Sequence, residues 1–185
     1  VVHASVTVAG LGYALPGTII AIGIIIPFAW LDHQIIAWVK NTFEVRFGLI
    51  LSGTLFALLF AYTVRFMAVS LGAIQSGLGK ITPSLDAAGR SLGYKPLEVL
   101  RKIHVPLMKS SVLTALLIVF VDVLKELPAT LILRPFNFNT LAVRAFELAS
   151  DERLADAAPA SLMIVLVGLA PVILLGRSIG SAQSH

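Results

Sequence analysis

The chain has 185 residues, 57% of them hydrophobic and only 13% charged, at a mean hydropathy of +0.92. A water-soluble domain carries about 25% charged residues, so this composition excludes a single soluble core and makes lipid the solvent for much of the chain. It lacks cysteine, which excludes a disulfide framework and a thiolate metal centre, and its net charge of +4 informs through placement more than through size. The start at Val1, without a basic n-region or cleavage site, reads as the interior of a longer polypeptide with no signal peptide.

Crossing about 30 Å of hydrocarbon at roughly 1.5 Å per residue takes about 20 apolar residues. The first such run is 13–31, with Tyr13 and Trp30 at its edges and Asp32 as the first charge. The second is 47–68, uncharged from 47 to 64 between Arg46 and Arg65. The third, 110–133, is uncharged only to Val121; Asp122, Lys125 and Glu126 follow before apolar character resumes at Leu127. The fourth is 157–177, closed by Arg177. Ser110 and Ser111 read as helix-start caps, and Ser150 with Asp151 and Glu152 as the start of the last long helix. The expected fold is all-α, a polytopic membrane bundle of about four helices in a single domain. Pro16, Gly17, Gly23, Pro27, Gly168 and Pro171 allow close helix approach and kinks, which fits ordinary membrane helices or a moving gate.

Between the second and third runs lies a loop, 71–109, holding Lys80, Arg90, Lys95, Arg101, Lys102 and Lys109 against Asp86 and Glu98. The segments 32–46 and 134–156 on the other side hold five basic and six acidic residues. The excess of Lys and Arg places the loop 71–109 in the cytoplasm, and the C-terminus with it. Within the loop, Thr82 and Pro83 suit an N-cap and first helical position, and Leu85, Ala88 and Leu92 then share a face. Gly93 suits a left-handed helix end. Pro96 can open a second short helix through Leu97, Leu100 and Ile103, which Pro106 is expected to break before the next span. Two short helices with a sharp bend result.

An ionisable group in a span costs about 2.5–3.5 kcal/mol at the centre, which makes Asp122, Lys125 and Glu126 functional candidates. Their i,i+3 and i,i+4 spacing lets all three share one helix face. Two readings stand: a polar path for a charged solute or a helix–helix latch at the outer half of the pore, against a neutral Asp122–Lys125 pair buried on a partner helix with Glu126 near the outer interface. The run Gly77-Leu78-Gly79-Lys80 fails as a phosphate loop, because Ile74 and Ile81 occupy the positions of the first glycine and the hydroxyl residue. Any ATP-derived energy must therefore come from another chain. His3, His33, His104 and His185 show no metal-ligand spacing, and His104 reads as solvated or at headgroup level. Asn137 and Asn139 around Phe138 read as a polar turn, with a docking surface for a solute-binding protein as the alternative. The basic residues sit where membrane orientation already puts them, so no nucleic-acid partner is expected, nor any metal or cofactor.

Gly93, Ile103 and Pro106, at their mutual spacing, resemble the loop signature of binding-protein-dependent ABC importer permeases. That signature reads Glu-Ala-Ala, three residues, Gly, nine residues, Ile, one residue, Leu-Pro. Here Ala87, Ala88 and Gly89 stand at its first positions, so Ala87 replaces the Glu and Gly89 the second Ala; Val105 replaces the Leu, and Asp86 offers a carboxylate one residue early. Ala14-Leu15-Pro16-Gly17, the run 125–130 and the run 147–153 look like the ferric-iron branch of that family. The resemblance covers essentially the whole chain. It implies a partial type I ABC importer permease fold in a bacterial inner membrane, lacking its first core helix or helices. It also implies a translocation subunit rather than an enzyme, working with an ABC ATPase, a periplasmic solute-binding protein and a second permease half, fused or separate. The ATPase groove would be met by Asp86, Ala87, Ala88, Gly89, Gly93, Ile103 and Pro106. Ferric iron is the implied solute, with thiamine, sulfate, polyamine or phosphonate as alternatives. A secondary transporter relaying ions through Asp122, Lys125 and Glu126 is the rival class, and an intramembrane enzyme is disfavoured because no nucleophile–base pair is evident.

Overall fold

A computed structural model of the chain describes residue 10, residues 12–44 and residues 48–182, with side chains described as far as Ile173. His3, Arg46, the expected start of the second span at Phe47, and His185 lie outside the described residues, and so does the side chain of Arg177. Every regular element among the described residues is helical. In chain order these are α1 (Gly17–Phe43), α2 (Leu55–Leu78), α3 (Pro83–Ser91), α4 (Pro96–Val99), a π turn (Leu100–His104), α5 (Val105–Leu124), α6 (Pro128–Leu133), α7 (Leu141–Ser150) and α8 (Leu154–Ala182). Among the described residues, four stretches are long and apolar enough to cross a membrane: Gly17–Phe43, Leu55–Leu78, Pro96–Leu124 and Leu154–Ile173.

The boundaries differ from the sequence reading wherever a charge is answered by the fold. Asp32 was expected to close the first span, yet α1 continues to Phe43 and Asp32 is buried within it. Its Oδ1 accepts the backbone N–H groups of Ile50 and Leu51 at 3.1 and 2.9 Å. Its Oδ2 accepts the N–H of Ser52 at 2.8 Å and the Ser52 hydroxyl at 2.6 Å. The returning turn is thereby docked on α1, and α2 starts only at Leu55. Arg65, read as closing the uncharged run 47–64 near the end of the second span, sits in the interior of α2, which runs on to Leu78.

Pro106 does not break the chain. From Pro96 to Leu124 the helix is continuous, and the π turn takes up the lost hydrogen bond. The N–H of Val105 reaches back to the Leu100 carbonyl, five residues away, and this widened turn accommodates a residue that has no N–H to give. Ser110 and Ser111 are consequently mid-helix rather than caps. Ser111 is buried against Gly77 of α2, where a Cβ would lie only 2.6 Å from the serine side chain, so the two helices approach at a small residue.

The core joins α1, α2 and α6 through Ile20, Ala21, Ile24, Ala57, Leu58, Ala61, Ala129 and Leu133. Alanines on all three helices bring the backbones close, as lipid-facing bundles require when no hydrophobic force separates helix from solvent. Phe28 stacks on Phe56 and meets Phe60 at a tilt, with centroids 5.9 and 5.3 Å apart. Farther along, α7 packs against α8 as a hairpin. Ser150 is the last residue of α7 rather than the cap of α8; Glu152 turns the chain at φ 61, and Arg153 pairs with Asp156 in the first turn of α8 at 2.7 Å.

Replacing Asp32 by alanine orphans three backbone donors in one step. The expected outcome is a loss of about 2–4 kcal/mol of stability. Unfolding of the detergent-solubilised protein by a graded denaturing surfactant measures it; an unchanged midpoint would mean that water replaces the carboxylate at no cost.

Candidate functional site

The third apolar run is two helices, not one. α5 ends at Leu124 and α6 begins at Pro128, with Lys125 to Leu127 as a break. Pro128 supplies the fixed φ of a first helical position, and Glu126 supplies the acceptors that the new N-terminus lacks. Glu126 Oε1 accepts the N–H of Ala129 at 3.2 Å, while Oε2 accepts the N–H of Thr130 at 3.0 Å and its hydroxyl at 2.7 Å. Thr130 Oγ1 in turn lies 2.5 Å from the Tyr62 hydroxyl, which donates to it because the threonine proton is committed to Glu126. Discontinuous helices of this kind place charge and free backbone groups inside a membrane protein.

Arg65 provides the countercharge. Its Nε lies 4.0 Å from Glu126 Oε1, with side-chain exposures of 21% and 2% respectively. One guanidinium nitrogen donates to the Leu15 carbonyl at 3.2 Å. Gly17 closes the arrangement, since a Cβ there would stand 2.7 Å from Glu126 Oε1 and 2.9 Å from the Arg65 guanidinium. The expected Asp122–Lys125 pair forms at 2.9 Å, with the lysine exposed and the aspartate mostly covered. The expectation that Glu126 shares their helix face is corrected. It lies past the end of α5, so helical spacing no longer applies, and its carboxylate is turned inward to cap α6. All three residues nonetheless line one recess, together with Tyr13, Arg65, Phe66 and Pro128. Arg65 is the member that sequence reasoning missed. The signal was available: the uncharged stretch from Phe66 to Leu78 is too long to follow a span that had already ended.

In the loop, α3 begins at Pro83 and ends before Gly93, which adopts φ +80 as expected of a left-handed helix end. Gly89 is buried, and a Cβ on it would stand 2.9 Å from Ile103 and 3.1 Å from Val99. Two signature positions thus touch, and the small residue at 89 sets how closely α3 approaches the π turn. Asp86 and His104 also join these elements, Oδ1 to Nε2 at 2.6 Å, which corrects the reading of His104 as simply solvated. Lys102 lies 4.4 Å over the Tyr94 ring and 3.7 Å from Glu98. Ala87, Ala88, Leu92, Leu97, Leu100 and Pro106 remain exposed. The polar-turn reading of Asn137 agrees with its φ of 64; Arg134, Asn139 and Glu147 bind one another across that turn.

Breaking the Arg65–Glu126 pair from one side leaves a buried charge unanswered. Arg65→Leu is expected to cost about 3–5 kcal/mol, and adding Glu126→Gln should recover part of it. The folded fraction in membranes, measured by size-exclusion profile after extraction, checks this; a double variant worse than both singles would show that the charges do not act on each other.

Residues 3–182 match the family described as binding-protein-dependent transport system inner membrane component. The chain is 28% identical over 165 residues to the Fe(3+)-transport system permease protein FbpB 2 of Haemophilus influenzae, an alignment covering 89% of this chain and 29% of that protein. It is 26% identical over 164 residues to the putative 2-aminoethylphosphonate transport system permease protein PhnV of Salmonella typhimurium, covering 89% of this chain and 56% of that protein. The chain therefore spans less than a third of one relative and about half of the other. With its all-helical build, its four apolar helices and a family match over nearly its whole length, the chain belongs to the binding-protein-dependent transport system inner membrane components, the type I permease fold of ABC importers.

Proposed function

We propose that this chain is part of the translocation subunit of an ATP-driven importer, powered by a separate ATPase that docks on the loop around Asp86–Pro106. The observation that carries this reading is the left-handed Gly93 beside the Gly89–Ile103 contact: together they fix a bent two-helix loop whose apolar side chains Leu92, Leu97 and Leu100 are left uncovered. Such a surface suits a groove on a partner. A periplasmic binding protein delivers the solute, and a second permease half, fused or separate, completes the pathway. Ferric iron is the solute named for one relative, and 2-aminoethylphosphonate the one named for the other; ferric iron is our first choice, from the runs 14–17, 125–130 and 147–153. Asp122, Lys125 and Glu126 belong to the path, with Glu126 as part of its wall. Alternating access follows ATPase closure.

Substituting Gly93 by leucine puts a Cβ where φ is +80 and a large side chain at the bend. ATPase co-purification and ATP-driven uptake should fall together, at least about tenfold if the bend opens, while membrane insertion persists. Undiminished ATPase capture with this variant would remove the loop from the interface.

Orientation follows from the basic loop. In a cysteine-free background, Arg90→Cys should resist an impermeant maleimide in intact spheroplasts and Asp151→Cys should react. Labelling of position 90 under those conditions would reverse the topology and detach the ATPase assignment with it.

A further inference from the structure

The geometry points to an oxyanion-binding subsite in the recess beside the helix break, formed by Arg65 and Lys125. It rests on the importer reading and adds the chemical class of the group that the recess receives. Both Glu126 oxygens are occupied by Ala129 and Thr130, and that side chain is almost wholly buried. Asp122 is largely covered and engaged by Lys125. The carboxylates therefore contribute charge balance but little free acceptor capacity.

The cations differ. Arg65 carries five N–H donors and Lys125 three. Among the described residues, the Arg65 Nε is buried with no hydrogen-bond partner, and the guanidinium makes its hydrogen bond to the Leu15 carbonyl. Glu126 stands 4.0 Å away, beyond hydrogen-bond distance, so it answers the charge of Arg65 without saturating its donors. Lys125 uses one partner and keeps most of its side chain exposed. Tyr13, half exposed at the rim, adds a phenolic hydroxyl. Donors exceed free acceptors, and a guanidinium whose donors are not all taken can pair with the oxygens of a phosphonate or carboxylate. A bare metal cation would meet a Glu126 carboxylate already engaged through both oxygens, an Asp122 carboxylate paired with Lys125, and two positive charges. The shared chemistry is an anionic oxygen group, either a free phosphonate or the carboxylates of a ferric chelate.

The test uses the full-length protein in open membrane fragments, on a cysteine-free background, with Tyr13→Cys as the reporter. Its reaction rates with a sulfonate-bearing and a trimethylammonium-bearing methanethiosulfonate are compared with those at Phe136→Cys, an exposed control. The anionic-to-cationic ratio should be several-fold higher at position 13 than at 136, because Lys125 is the exposed charge of the recess while Asp122 and Glu126 are covered. Lys125→Gln, at an exposed side chain, should bring the ratio back toward the control. Either 2-aminoethylphosphonate or ferric citrate should slow labelling, and which one does so identifies the source of the oxyanion. Arg65→Lys keeps the charge but removes the guanidinium edge, and should raise the concentration needed for protection about tenfold. Equal ratios at the two positions, protection by neither compound, or protection unchanged in Arg65→Lys would each overturn the subsite. Labelling needs neither ATP nor partner chains, so vanadate-sensitive uptake by the assembled transporter tests the importer reading separately.

Discussion

A charge inside an apolar helix is stable only when something nearby answers it, and the arrangement around Glu126 follows from that constraint. Its carboxylate substitutes for the missing turn before α6, holding the N–H groups of Ala129 and Thr130. With those groups held, the chain can stop being helical at Leu124 and resume at Pro128 without leaving naked backbone in hydrocarbon. The carboxylate then demands a cation, which Arg65 provides from α2, and Gly17 leaves the space that both need. Three segments distant in sequence converge because one acid is buried. The alanine-rich contact of α1, α2 and α6 lies directly beyond it, so the polar cluster and the apolar core fix each other's position.

Asp32 repeats the logic farther along α1. Four donors converge on one buried carboxylate, and a turn that would otherwise wander is pinned to a helix. In both places an acidic residue in an apolar context organises backbone. Hydrogen bonds to a charged acceptor are among the stronger single interactions available. The buried acids are therefore structural in the first instance, and whatever solute chemistry occurs at the recess is laid over a scaffold that already requires them.

Composition and run length were enough to read an all-helical membrane protein and roughly where its apolar helices lie. The loop was legible in more detail, because proline and glycine announce helix starts and left-handed ends directly: Pro83, Gly93 and Pro96 all stand where expected. What escaped were features that depend on a distant partner. Asp32 and Arg65 were read as borders because a lone charge in an apolar run has no visible counter-group in one dimension. The continuity through Pro106 escaped for a different reason: a π turn leaves no compositional mark, since any residues can widen by one position. Ser150 was misread because a short α7 precedes α8, and two adjacent helices share one polar junction that local propensity cannot assign to either.

That unbroken helix has a mechanical meaning. Pro96 to Leu124 comprises 29 residues, a rod of about 43 Å at roughly 1.5 Å per residue. Its first turns carry the contacts to the bent loop, and its far end stops at the helix break. Pivoted at its foot by about 5°, such a lever would sweep its tip through about 4 Å, comparable to the 4.0 Å that separates Arg65 from Glu126. A hinge at Pro106 would have dissipated that stroke within a turn.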